Sequence, residues 1–132
     1  MERHVASVEE LQAGLRALRA GEADAFFYVP DAMVLSQAQL TIETAKAKRL
    51  PTMFSLTDLV AQGALAGYGV NYREVGRMSA RYVQQILAGT NPRDLPVERA
   101  HRIFLAVNLG TAKALGLRIP GAILDRADQI IQ

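Results

Sequence analysis

Three side chains in this sequence stand where a small molecule could be held: Asp31, Ser55 and Tyr68. Asp31 follows Val29-Pro30 at the end of an apolar run, where a carboxylate can accept a charge-assisted hydrogen bond from an ammonium group. The competing reading is an Asx turn that opens a loop. Ser55 lies three residues before Asp58, a spacing that a plain helix cap explains fully, and contact of its hydroxyl with a ligand is the lesser reading. Tyr68 sits between Gly67 and Gly69, residues that let backbone approach a ligand while the ring forms a stacking or hydrogen-bonding wall. Its other reading is a core tyrosine with a satisfied hydroxyl. Tyr72, one turn into the next helix, reads as structural.

Other chemistries find little support. Gly67-x-Gly69 lacks the third glycine of a dinucleotide fingerprint and lies in a strand-like run, so no cofactor is expected. His4 and His101 stand alone, without partners at metal-ligand spacing or a serine set up as nucleophile. The chain has no cysteine, which removes thiol catalysis and disulfides. An enzyme is therefore not expected.

The elements that would position Asp31, Ser55 and Tyr68 follow from pattern. Ser7 with Glu10 forms a capping box, and Val8, Leu11, Leu15 and Leu18 recur at helical spacing until Gly21. Residues 25–29, Ala-Phe-Phe-Tyr-Val, read as a short strand buried on both faces, stopped by Pro30-Asp31. Ser36 and Gln39 make a second capping box for a helix running to about Lys48, and residues 51–54 form the next strand. Ser55 and Asp58 flank a short helix carrying Leu56, Leu59 and Val60, which Gly63 ends before a strand over residues 64–70. Asn71 and Glu74 cap a long helix whose Val75, Met78, Tyr82, Val83, Ile86 and Leu87 share one stripe, closed by Gly89 and Pro92. Residues 103–107 form a buried strand, Asn108 opens a helix ending near Gly116, and Pro120 opens a last one.

Strands alternating with helices predict an α/β fold, a three-layer sandwich around a mostly parallel sheet, because parallel neighbours need crossover connections. Ligands on such sheets bind beyond the carboxyl ends of the strands. The segments to watch are thus 30–36, 55–57 and 68–72, where helix amino ends also offer free N–H groups to an anion.

With 132 residues, half of them hydrophobic and about a fifth charged, the chain is long enough for one core and reads as a single domain spanning 1–132. The net charge of +2 is spread without basic blocks, so nucleic acid is not an expected partner. The first residues lack the unbroken apolar stretch of a signal peptide, and no segment has the length of a membrane span. As written, the chain is expected to carry no export signal.

A longer resemblance runs through these segments. It begins at Ala23-Asp24-Ala25 through Val29-Pro30-Asp31 and Arg49-Leu50-Pro51-Thr52, and continues in Gln62-Gly63-Ala64-Leu65-Ala66-Gly67-Tyr68-Gly69. It resumes at Ile86-Leu87-Ala88-Gly89-Thr90-Asn91-Pro92-Arg93-Asp94-Leu95-Pro96, at Asn108-Leu109-Gly110-Thr111-Ala112-Lys113-Ala114-Leu115-Gly116, and at Arg126-Ala127-Asp128-Gln129-Ile130-Ile131. Together these resemble the ABC-transporter substrate-binding family that includes tryptophan- and tyrosine-binding proteins. The resemblance implies a type I periplasmic binding protein, in which two lobes close on a small polar solute such as an amino acid and deliver it to an ABC permease. Only the carboxy-terminal lobe is matched, so the amino-terminal lobe is an implied partner and the parent protein is expected in the periplasm. The family turn usually reads Gly-Gly-Leu-x-Ser-Tyr-Gly. Here Ala64 replaces the second glycine and Gly67 the serine, which removes one hydroxyl from the ligand's reach.

Two other readings stay in view. A receiver-like signalling domain would be modified at Asp31, but the acidic pair that would hold magnesium does not precede it. A lone lobe would instead expose the face meant for its missing counterpart and associate with another protein or a second copy of itself, as a homo-oligomer.

Overall fold

A computed structural model describes residues 2, 4–19, 21–99 and 102–132. His101 lies outside the described residues. Helix α1 (Val8–Ala17) starts as its capping pattern predicts: Ser7 Oγ accepts from the Glu10 amide at 3.2 Å, and the Glu10 carboxylate accepts from the Ala6 amide at 2.8 Å. Its Leu11 and Leu15 are buried, and Leu18 just beyond packs with Ala45 and Leu50.

Strand β1 (Phe26–Phe27) leads to Asp31, which caps a short helix α2 (Ala32–Ser36). Helix α3 (Ala38–Ala47) follows after a break at Gln37. The capping box expected at Ser36 and Gln39 does not form. Ser36 is already the last residue of α2, its hydroxyl donates back to the Met33 carbonyl at 2.6 Å, and α3 begins without a side-chain cap. Strand β2 (Thr52–Phe54), a single 3-10 turn (Thr57–Val60) and strand β3 (Ala66–Val70) come next. Helix α4 (Tyr72–Leu87) then leads through a turn at Pro92–Asp94 to strand β4 (Ile103–Asn108). Helices α5 (Leu109–Leu115) and α6 (Gly121–Leu124) precede strand β5 (Gln129–Ile131), an element absent from the sequence reading.

The five strands form one sheet in the order β1-β2-β3-β4-β5. The fold is α/β as expected, and the sheet is mostly parallel: β1 with β2, β2 with β3 and β4 with β5. Strand β4 runs antiparallel to β3, with Tyr68 opposite Leu105 and Val70 opposite Ile103. The beginnings of β4 and β5 share an edge of the sheet with the carboxyl ends of β1, β2 and β3.

The register assigns side chains to faces, because successive residues in a strand alternate. Tyr28 and Phe54 point to one face, where α3 and the 3-10 turn cover them. Tyr28, Ala38, Ile42, Phe54, Leu59 and Ala64 form that core, with the Tyr28 and Phe54 rings stacked at 5.4 Å. Gly67 and Gly69 open onto the same face. A Cβ at 67 would lie 2.9 Å from Thr57 Cα, and one at 69 only 1.8 Å from the Ser55 carbonyl oxygen, so both glycines let the 3-10 turn sit against β3. They were expected to let a ligand approach the backbone. The chain's own backbone fills that space.

The opposite face is largely open. Phe27, Met53, Tyr68, Ile103 and Ile130 lie on it with 36% to 63% of their surface exposed, and Val29 is more exposed still. The expectation that residues 25–29 are buried on both faces is therefore corrected: β1 is an edge strand with one face covered. Val107 lies on that same face and is 1% exposed, so the face is covered at β4 and open towards β1.

Helix α4 forms where the sequence puts it. Asn71 Oδ1 accepts from the Arg73 amide at 3.0 Å and the Glu74 amide at 3.4 Å, and Gly89 ends the helix at φ 99°. Its stripe, however, is not part of this core, and none of its residues is buried. Among the described residues its side chains reach its own return loop, through Tyr82 Oη to the Pro96 carbonyl at 2.6 Å and Arg81 to Glu98 at 3.1 Å.

Candidate functional site

The edge shared by the ends of β1 to β3 and the start of β4 carries an open cleft of about 510 Å³. The 3-10 turn supplies Thr57 and Asp58, with Ala61 just after it, and the start of α4 supplies its cap Asn71 and Arg73 in its first turn. Phe104, Leu105 and Ala106 of β4 and Asp128 and Gln129 beside β5 close the other side. A cleft of this size suits a small metabolite.

Each polar group in the cleft has a local role or lacks one, and the difference is informative. Asn71 is spent on capping α4. Asp128 is spent twice, accepting from the Leu105 amide at 2.8 Å and from the Arg102 guanidinium. The Leu105 hydrogen bond, with the Arg102 charge next to it, holds the Asp128 carboxyl below the usual carboxylate range against a smaller opposing effect of desolvation. Arg102 also lies over the Phe104 ring, 4.7 Å from its centroid, so Arg102, Phe104 and Asp128 brace one another. Asp58 and Arg73 differ: within the described residues, neither side chain has a hydrogen-bonding or ionic partner.

The three residues expected from sequence do not converge. Asp31 is exposed and caps α2, its Oδ1 accepting from the Val34 amide at 3.0 Å. Its backbone is fixed by Tyr28, whose hydroxyl accepts from the Asp31 amide at 2.8 Å and donates to the Asp31 carbonyl at 2.5 Å. The expected Ser55–Asp58 cap is absent, because the 3-10 turn starts at Thr57 from Leu56 with no side-chain cap. That leaves the half-buried Ser55 hydroxyl without a partner among the described residues. Tyr68 sits mid-strand on the open face, 47% exposed, and its hydroxyl is likewise unpartnered among the described residues. None of the three lines the cleft. Tyr72 is exposed on the first turn of α4.

Sequence reasoning missed Arg73, Phe104 and Asp128, and read Asp58 only as a cap. The rule that ligands gather after strands finds the ends of β1 to β3 but points to the far end of β4. Only the antiparallel pairing of β4 brings Phe104 and Asp128 to the cleft. Among the described residues no group of three His, Cys, Asp or Glu gathers where a metal ion would sit, and no helix is long and apolar enough to cross a membrane.

Comparison with known proteins places this geometry. A tyrosine-binding protein of Clostridioides difficile is 24% identical over 118 residues, which are 89% of this chain and 34% of that protein. A conserved domain protein from Vibrio cholerae superposes with a TM-score of 0.81 at 31% identity, covering 94% of this chain and 42% of its own. An ABC domain from Streptococcus pneumoniae, solved in complex with L-Trp, superposes with a TM-score of 0.82 at 25% identity, covering 96% of this chain and 44% of its own. The chain thus spans a third to less than half the length of these relatives. The family model for ABC transporter substrate binding proteins matches residues 1–131, and the chain belongs to that family.

Proposed function

We propose that this chain is a solute-binding lobe of an ABC-type importer, equivalent to the carboxy-terminal lobe of a two-lobed binding protein, and that it takes a small polar solute such as an amino acid. The observation that carries this reading is the open cleft at the carboxyl edge of β1 to β3, where α/β sheets bind ligands. Ligands named for its relatives, tyrosine and L-Trp, fit the same class.

In this reading the cleft is one wall of the site and an amino-terminal lobe is the other. Helix α4 supports that division, since a 16-residue amphipathic helix with no buried residue has its packing partner elsewhere. Solute held between two lobes stabilises the closed arrangement by its differential affinity for closed over open, and no bond is made or broken. Asp31 and the Ser55 hydroxyl follow the ends of β1 and β2 outside this cleft, and in this reading they would reach the solute once the second lobe closes. Tyr68 belongs to the open sheet face that the rest of the protein covers. The closed form would dock on an ABC permease outside the cytoplasmic membrane, in the periplasm.

An NMR titration of the isotope-labelled chain with L-tryptophan and L-tyrosine tests this reading. Half a site gives weak binding, with a Kd on the order of 1 mM or higher, and shifts confined to residues 55–58, 71–73, 104–105 and 128. Absence of any shift at about 10 mM of either amino acid would contradict solute binding, and sub-micromolar affinity would contradict the need for a second lobe.

A further inference from the structure

We propose that Asp58 and Arg73 form a charge clamp for a zwitterion, Asp58 receiving the ammonium group and Arg73 the carboxylate of an α-amino acid whose side chain lies along Phe104. This assignment rests on the solute-binding reading and goes further, because it names the groups that choose the solute.

The two side chains come from different elements, the 3-10 turn and the first turn of α4, and line one cleft. Both charges are unused within the described residues, whereas the third charge there, Asp128, is held by Arg102 and the Leu105 amide. The cleft therefore offers one free anion and one free cation. Opposite free charges in one cleft select a ligand carrying both signs and disfavour one carrying a single sign, which leaves one protein charge unpaired.

Local stability does not explain Arg73. A cation in the first turn of a helix opposes the macrodipole, and the amino end of α4 is already served by Asn71, which takes the amides of Arg73 and Glu74. An anion arriving here meets a guanidinium instead of those two amides, and a guanidinium matches a carboxylate in a bidentate pair. Asp58 caps nothing, since the 3-10 turn has no side-chain cap, so both carboxylate oxygens are free for an ammonium group. Phe104, with Arg102 over its ring at 4.7 Å, is the aromatic residue lining the cleft.

The test crosses two variants with three ligands on the isotope-labelled chain, following affinity and shift pattern by NMR. L-Tryptophan carries both charges, N-acetyl-L-tryptophan lacks the ammonium, and L-tryptophanamide lacks the carboxylate. The unmodified chain should favour L-tryptophan over each analogue by roughly tenfold, the order expected when a charge-assisted hydrogen bond is lost. Asp58→Asn should abolish the preference over the N-acetyl analogue and leave the preference over the amide. Arg73→Gln should do the reverse. Both substitutions are at exposed positions, and unchanged core resonances from Phe54 and Ile42 would show that the fold is kept. If L-tryptophan binds with shifts at Asp31 and Ser55 and both variants keep both preferences, the clamp is overturned while solute binding stands. If the unmodified chain binds none of the three ligands, the clamp and the solute-binding reading fall together.

Discussion

Helices α3 and α4 are both two-faced, yet only α3 is packed. Helix α3 has ten residues and a modest apolar side, of which Ala38, Thr41, Ile42 and Ala45 are buried between the sheet and α1. Helix α4 has sixteen residues and a much cleaner stripe, and leaves Val83, Ile86 and Leu87 exposed. Amphipathic pattern therefore reports which face of a helix seeks burial, and not whether the same stretch of chain supplies what buries it. The open face of the sheet, with Phe27, Met53 and Tyr68, repeats that message on a second element. In relatives more than twice as long, there is additional polypeptide to cover such surfaces.

The sharpest way to break this contrast is to truncate one large residue in each region. Phe54, 1% exposed, stacked on Tyr28 and tilted against Phe26, should cost about 3–5 kcal/mol when changed to alanine, the usual range for deleting a buried aromatic. Leu87→Ala should change stability by less than about 0.5 kcal/mol, because Leu87 is 83% exposed. Urea denaturation of both variants measures the difference. Equal losses would mean that α4 is packed after all.

A smaller effect concerns the brace beside the cleft. The Asp128 carboxyl is held low in the folded chain by the Leu105 amide and Arg102, so its stabilising contribution is present above its unfolded value, near 4, and fades as pH falls through the folded value. The urea midpoint should drop as the solution is taken below about pH 4, and Asp128→Asn should flatten part of that drop. Glu9, lowered by its own backbone amide and by Ser7, titrates in the same direction and accounts for some of what remains. A pH profile unchanged by Asp128→Asn would mean that the brace does not contribute to stability.

How much was legible in the sequence follows the same divide between local and distant causes. Caps and stops acting within a few residues were readable: Ser7 with Glu10, Asn71 on the Arg73 and Glu74 amides, Asn108 on the Thr111 amide, and the positive φ of Gly89 and Gly116. So were β1 to β4, whereas β5, only three residues long, was not. The Ser36 box failed because a second cap, Asp31, started a helix earlier and Ser36 became its end. The direction of β4 was not readable, since no local feature distinguishes a parallel return from an antiparallel one, and with it went Phe104 and Asp128. Nor could the pattern show that Gly67 and Gly69 make room for the 3-10 turn, a contact set by tertiary packing.

Hydrogen–deuterium exchange followed residue by residue in the isolated chain is the decisive test of the proposal that this chain is one lobe whose helix α4 packs on another. Amides of α3 at Ile42 and Ala45 should be protected to the level of global unfolding, while those along α4 from Val75 to Leu87 should exchange at least about 100-fold faster by local opening. Equal protection of α3 and α4 would contradict the proposal, and would show that this chain buries the α4 stripe by itself.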